Sequence, residues 1–512
     1  MSVSTSGSSR ATSLGGYARK MSILPKPSIT IHIDNHYRSK IYTTSSKISG
    51  HAIISPAYDV RFDALQILLL GTSKTRIDAV NIPQATSHTF LKLTMPIPES
   101  SYPVPRIFEA GRTYKIPFHF VIPSQLTINA CNHNVPSSSV QEHHVRLPPS
   151  VGSWERDDFS PNMSRVTYCV KARVYRDEGE VGGASTKVME AGQEIMVLPA
   201  IPEDAPLNIA NCDKLYTMSK TKTLKKSILS AKTGRVTVSA SQPGAAMISA
   251  DGHSIAPTIA KLDFEFEPFG ESQPPQVTGV SSKITAMTYF SASGINHFPN
   301  LKEWATASFG GDGRGCYSSS VSLPSTPVDT VVWRQRPKVH TRRDSGYCTD
   351  APSDSDQTDD SHRPILSVTT HKSRRKWSPY YHTATLQVPV QLPTHKKQFL
   401  PTFHSCITSR VYVLCLTATL ATTAGSSSSS TSSVTVSVPL QIGVDSPLSP
   451  RPGDYALPPT FETAMREDEE AAGVDEFFRP RTLRAPDVEF HHQSPLPGYA
   501  ELFSSPAPAA AR

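Results

Sequence analysis

The residues best suited to chemistry in this 512-residue chain are ones that could be gripped by a partner. Near the C-terminus, Leu496-Pro497-Gly498-Tyr499 spaces a leucine, a proline and a tyrosine as L-P-x-Y within a run of proline, alanine, serine and charge. Such a composition buries too little apolar surface to offset the entropy of ordering. A WW domain reads [L/P]-P-x-Y, because proline presets an extended backbone that an aromatic-lined groove accepts. The tyrosine adds a flat apolar body with a polar tip. Leu496, Pro497 and Tyr499 are the candidate WW-binding residues, with Gly498 raising the ordering cost; the alternative is a chance match, since so short a pattern recurs by accident. Pro458-Pro459-Thr460-Phe461 offers a secondary PY-like site through Pro458, Pro459 and Phe461, which keeps the ring and lacks the hydroxyl. Its plainer reading is a proline turn before an acidic helix. Two weak sites in one tail would gain from effective concentration on a partner with several WW domains.

Arg342-Arg343-Asp344-Ser345 matches a basophilic-kinase pattern, which makes Ser345 a candidate phosphosite; the alternative is a chance match in a serine-rich linker. Lys220, Lys222, Lys225 and Lys226 lie in "KTKTLKKSILSAKTGR", the densest basic stretch outside the tail and linkers. They could contact anionic lipid headgroups or an acidic cytoplasmic tail. A solvated interdomain segment leading into the next strand is the preferred reading. Two histidine pairs, His143-His144 and His491-His492, are adjacent and do not converge readily on one metal, and no cysteine or carboxylate set completes a site. No metal and no cofactor are expected. "GGDGRG" lacks the Gly-Lys-Ser/Thr ending of a phosphate loop. With no G-x-S-x-G, H-E-x-x-H or Cys–His nucleophile pattern, an enzyme is not expected.

These residues hang on a chain whose composition is itself informative. Apolar residues are 38% and prolines number 44, which indicates folded domains plus long disordered segments. The net charge of +7 is spread along the chain, and no zinc-finger, basic-zipper or RNA-platform pattern occurs, so no nucleic-acid partner is expected. Seven scattered cysteines without a C-x-x-C pair read as reduced thiols of a cytoplasmic protein. The N-terminal stretch has no apolar core, and no run reaches the length of a membrane span.

Between residues 27 and 200, short runs alternate apolar and polar residues: Ile29, Ile31 and Ile33; Tyr114, Ile116, Phe118, Phe120 and Ile122; Val166, Tyr168, Val170, Ala172 and Val174. Period two with proline and glycine punctuation predicts an antiparallel sandwich, and no amphipathic helix stands out in this half. A second set predicts a second sandwich over residues 213 to 444: Val236 and Val238; Leu262, Phe264 and Phe266; Leu386, Val388, Val390 and Leu392; Val411, Val413 and Cys415; Val434, Val436, Val438, Leu440 and Ile442. Residues 1 to 26, about 305 to 375, and 445 to 512 are expected to be disordered, and 424 to 433 to form a serine-rich loop. The fold class is all-β.

Particular stretches add a resemblance. "YDVRFDALQILLLGTSKTRID" (58 to 78), "FEAGRTYKIPFHFVIPSQL" (108 to 126) and above all "LPPSVGSWERDDFSPNMSRVTYCVKARVYR" (147 to 176) resemble N-terminal domains of fungal alpha-arrestins. "PTFHSCITSRVYVLCLTATL" (401 to 420) is similar to a late strand of their C-terminal domain. The resemblance implies two consecutive arrestin-type, immunoglobulin-like sandwiches. It also places Asp157 and Asp158 in a structural polar loop and not in a carboxylate dyad. Its functional implication is an adaptor that brings a HECT-type ubiquitin ligase, held through its WW domains, to the cytoplasmic tails of plasma-membrane transporters or receptors for ubiquitination and endocytosis. Such a protein would be cytoplasmic and recruited to the plasma membrane and endosomes. The alternative is an arrestin-fold scaffold in sorting or in pH or nutrient signalling, without direct ligase binding.

Overall fold

The computed structural model describes residues 28–446, apart from 79–82, 178–185, 208, 210–212, 226–231, 300–303, 305–312, 326–327, 329–330, 339–376 and 423–429. The described chain is almost entirely β-structure.

In the first half, a three-stranded sheet in the order Ser28–Ile33, Lys47–Ser55, Tyr114–Val121 packs on a five-stranded sheet. The latter runs Ile41–Tyr42, Thr186–Val197, Ser164–Arg176, Ala64–Ile77, Gln84–Thr94. Its two central strands pair antiparallel, with Leu65 opposite Val174, Ile67 opposite Ala172 and Leu69 opposite Val170. On the facing sheet Ile48 lies opposite Phe120 and Ala52 opposite Ile116. These residues share one apolar core. Phe118 is 3% and Val170 0% exposed, so the alternation read from the sequence has the right phase on both sheets.

The second half repeats the plan. One sheet runs Ser219–Lys225, Lys232–Ala240, Thr258–Pro268, Tyr380–Val390, Arg334–Pro337. The other runs Arg314–Ser322, Gln276–Ser291, Thr408–Thr422, Phe403–His404, with Ser430–Leu440 also paired to Thr408–Thr422. Val236, Val238, Leu262, Phe264 and Phe266 meet Ile284, Leu414, Leu416, Val436 and Val438 in a second core.

Five expectations need correction. The segment expected to be disordered from about 305 to 375 contributes Arg314–Ser322, paired to Gln276–Ser291 from Lys283/Ser322 to Ser291/Arg314, and Arg334–Pro337, paired to Tyr380–Val390. Both are outer strands of largely exposed small or charged residues, so no apolar period marks them. The serine-rich loop is shorter than expected, because Ser430 to Ser433 already pair with Thr422 to Thr419. Lys220, Lys222 and Lys225 stand on an outer strand, Ser219–Lys225, and not in an interdomain segment. A seven-residue helix, Ser138–His144, lies in the half where none was expected; it is too short to show a helical period. In Thr408–Thr422 the sandwich core takes Tyr412, Leu414 and Leu416, whereas Val411, Val413 and Cys415 pack on the opposite face with Met287, Tyr289, Ile295 and Trp304. A strand covered on both faces carries no alternation from which to choose the inner one.

Candidate functional site

The two sandwiches interlock where three loops meet: residues 124 to 147, residues 150 to 164, and residues 394 to 409. Each half sends apolar side chains into the core of the other. Phe159, from the first half, joins the second core, 5.2 Å from the ring of Phe399. Leu400, Phe403, Cys406 and Ile407, from the second half, join the first core. Phe159 holds φ at 60°, a conformation a bulky residue adopts only when its surroundings fix it. The carboxylate of Asp157 accepts the Phe159 N–H at 2.8 Å, and Lys397 pairs with the same carboxylate. Asp158 accepts the N–H groups of Gly152 at 2.7 Å and Ser160 at 3.1 Å. The two aspartates thus shape the loop.

Arg410 lies at the centre of the junction and is 0% exposed. Its Nε donates to Thr288 Oγ1 (2.8 Å), Nη1 to the Asp158 carbonyl (2.8 Å), and Nη2 to the Phe159 carbonyl (3.3 Å) and Ser160 Oγ (3.0 Å). A buried cation is tolerated only when its donors are met, and the planar guanidinium meets several acceptors at once. A seam of smaller bonds extends the contact. Thr408 Oγ1 lies 3.0 Å from Ser164 Oγ, and Thr75 Oγ1 donates to the Ser291 carbonyl at 2.7 Å.

Beside this seam a cleft of about 590 Å³ is lined by His143, Arg146, Asp204, Phe298, His404 and Tyr412 among others. Arg146 Nη1 donates to both oxygens of Asp204 (2.8 and 2.9 Å), and His143 Nε2 lies 3.3 Å from Asp204 Oδ2. The His143 contact and the Arg146 ion pair hold the Asp204 carboxyl down to about 2. Its charge is consumed by these two partners, so the cleft carries no free carboxylate from it.

Against the inner side of the same helix, Cys131, His133, His144 and Cys406 converge. One candidate ligand atom from each lies within 4.8 Å of all the others. Cys131 Sγ is 3.6 Å from His144 Nδ1 and 3.8 Å from His133 Nδ1. His133 Nε2 donates to the Ile295 carbonyl at 3.2 Å, which leaves Nδ1 as the lone-pair nitrogen facing the cluster. His144 is 1% exposed, and its Nε2 has no hydrogen-bond partner. Burial first, then the neighbouring His133 and His143, lower its pKa to about 4, and burial pushes the Cys406 thiol well above its usual range. The turn carrying Cys406 is tied down by Ser405 N–H to the Thr408 carbonyl (2.9 Å) and by Ile295 N–H to the Cys406 carbonyl (2.7 Å). His143 faces the cleft and His144 the cluster, while His491 and His492 lie outside the described residues. Two cysteines and His133 stand beside His144, a grouping that the expectation of no completing cysteine set did not anticipate, because its members come from elsewhere in the chain. The C-x-H spacing of Cys131-Asn132-His133 is a local signal that could have pointed here.

The other expected site residues are dispersed. Lys220, Lys222 and Lys225 are exposed, and Lys222 Nζ donates to the Ser433 carbonyl at 3.1 Å. Lys226, Ser345, Pro458, Pro459, Phe461, Leu496, Pro497 and Tyr499 lie outside the described residues. Among the described residues no helix is long and apolar enough to cross a membrane. Comparison with protein-family models and with curated proteins returns no match.

Proposed function

We propose that this chain is an arrestin-type adaptor, in which coupled β-sandwiches engage the cytoplasmic tail of a plasma-membrane transporter and the tail residues Leu496, Pro497 and Tyr499 engage a WW domain of a HECT-type ubiquitin ligase. The observation that carries this reading is one combination: two β-sandwiches plugged into each other's cores, followed in sequence by an L-P-x-Y motif. Interlocked cores favour a platform that binds as one body, which suits a protein whose task is to hold one partner while another acts on it. The exposed lysines of Ser219–Lys225 support the reading a second time, since a cationic outer strand offers charge to an acidic tail or an anionic membrane surface. They also protect that sheet edge against unwanted pairing.

Burying a tyrosine ring in a preformed groove contributes roughly 1.5–3 kcal/mol. Tyr499→Ala in the full-length chain is therefore expected to weaken binding to isolated WW domains by about 10- to 100-fold. Pro497→Ala weakens it by freeing the extended backbone. In cells, Tyr499→Ala leaves the protein folded and slows transporter uptake. Unchanged WW binding by Tyr499→Ala, alone and combined with Phe461→Ala, would discard ligase recruitment and leave the scaffold without a ligase.

A further inference from the structure

We propose that Cys131, His133, His144 and Cys406 form a closed, tetrahedral Zn²⁺ site that staples the two sandwiches together. Geometry makes the first argument. A tetrahedral zinc ion with Zn–S of about 2.3 Å and Zn–N of about 2.0–2.1 Å sets its sulfur and nitrogen ligands about 3.6 Å apart. The Cys131 sulfur already stands 3.6 and 3.8 Å from the two imidazole Nδ1 atoms, and all four ligand atoms fall within 4.8 Å. Closing that set around an ion brings the widest-spaced ligand atoms together by about an ångström.

Ligand chemistry selects the ion. Two thiolates and two imidazoles in a tetrahedron suit zinc and exclude hard oxygen-seeking cations such as Mg²⁺ and Ca²⁺. Binding converts two thiols to thiolates: two S–H bonds break, two sulfur–metal bonds form, and two protons leave to solvent. The resulting site, a dication with two thiolates and two neutral imidazoles, has no net charge, so it can occupy a buried position without an uncompensated ion. Its surroundings are already arranged. The Ile295 carbonyl fixes the His133 tautomer in the way a second partner orients a metal-bound histidine. Gly294 lets the ring sit there, because a Cβ at that position would fall 2.3 Å from His133 Cδ2.

Position assigns the role. Three ligands come from the loop and helix at 131 to 144 in the first half, and the fourth from the Ser405–Thr408 turn of the second. With four protein ligands no position remains for a substrate, so the ion is structural.

The test uses the full-length chain, purified under reducing conditions, stripped with a chelator and titrated with Co²⁺ as a spectroscopic probe, then with Zn²⁺. The expected result is one Co²⁺ per chain with intense visible bands of tetrahedral cobalt and a sulfur-to-cobalt charge-transfer band, all displaced by one equivalent of Zn²⁺. Cys131→Ser and Cys406→Ser each weaken the charge-transfer band and lower affinity at least tenfold, whereas Cys316→Ser, at an exposed cysteine, changes neither. Gly294→Ala lowers affinity on the order of tenfold by displacing His133. Two outcomes overturn the proposal without relying on any variant folding: the reduced native chain takes up no stoichiometric Co²⁺, or the bound Co²⁺ has the weak spectrum of octahedral oxygen coordination. A Cys131–Cys406 disulfide whose reduction leaves a chain unable to bind Co²⁺ overturns it as well.

Discussion

Replacing Arg410 by methionine isolates the coupling between the sandwiches. Methionine keeps much of the volume and removes every donor. The four hydrogen bonds of the guanidinium are charge-assisted and contribute about 1.5–3 kcal/mol each. Against this gross gain stands the cost of burying the ion, several kcal/mol after relaxation. The substitution removes both, and it also strands the Asp158 and Phe159 carbonyls in a dry seam at about 1–3 kcal/mol apiece. The balance is a destabilisation of about 3 kcal/mol. Arg410→Lys should be nearly as damaging, because an ammonium is a point donor and cannot meet acceptors spread around a planar fork.

Urea unfolding followed by tryptophan fluorescence and by circular dichroism measures the effect. The native chain should unfold in one coincident transition. In Arg410→Met the midpoint should fall and the two probes should separate, since the lost bonds join one half to the other. A midpoint within about 0.5 kcal/mol of native, the usual scale for a neutral substitution, with probes still coincident, would refute the view that Arg410 couples the halves.

Three further outcomes are expected. Gly50→Ala should lower stability by roughly 1–3 kcal/mol as an overpacking change, because a Cβ there would lie 2.1 Å from the His32 carbonyl oxygen of the neighbouring strand; urea midpoints measure it. Glu190 is held down to about 2 by Lys187 first and then by Lys171 and Arg173, so its contribution is present above the unfolded value of about 4.3 and is lost as pH falls toward 2. Glu190→Gln should cost no more than about 1 kcal/mol at neutral pH, and the gap to native should close in acid unfolding curves between about pH 4 and 2. Phe461→Tyr should strengthen WW binding of the full-length chain in a direct titration by restoring the missing hydroxyl; no change would remove Pro458, Pro459 and Phe461 as a second site.

How legible these features were depends on the distance over which their signal is written. Strands with one wet face announce themselves, and Ser164–Arg176 buries Val166, Tyr168, Val170, Ala172 and Val174 as its alternation required. Thr408–Thr422 does not, because Val411 and Val413 are buried along with Tyr412 and Leu414. Arg314–Ser322 fails for the opposite reason: with almost no buried side chain it reads as linker, and only pairing to Gln276–Ser291 makes it a strand.

The junction was harder to read than either sheet, and the reason is physical. Arg410 sits between threonine, serine and valine in a run that looks like any strand, and two of its four acceptors are backbone carbonyls, which sequence does not spell, while the other two are hydroxyls more than a hundred residues away. The Cys131, His133, His144 and Cys406 cluster is assembled the same way. Its fourth member contacts the Ala130 carbonyl across 276 residues of chain, so spacing rules written for local metal motifs find at most a C-x-H fragment. Both features lie where Phe159 enters one core and Ile407 enters the other. That exchange fixes the two loops against each other, and fixed loops can hold a buried cation or a set of metal ligands to within a fraction of an ångström. Interdigitated apolar contacts already resist sliding. The oriented donors of Arg410 add a directional constraint, because its hydrogen bonds to the 158 to 160 loop hold only in one register.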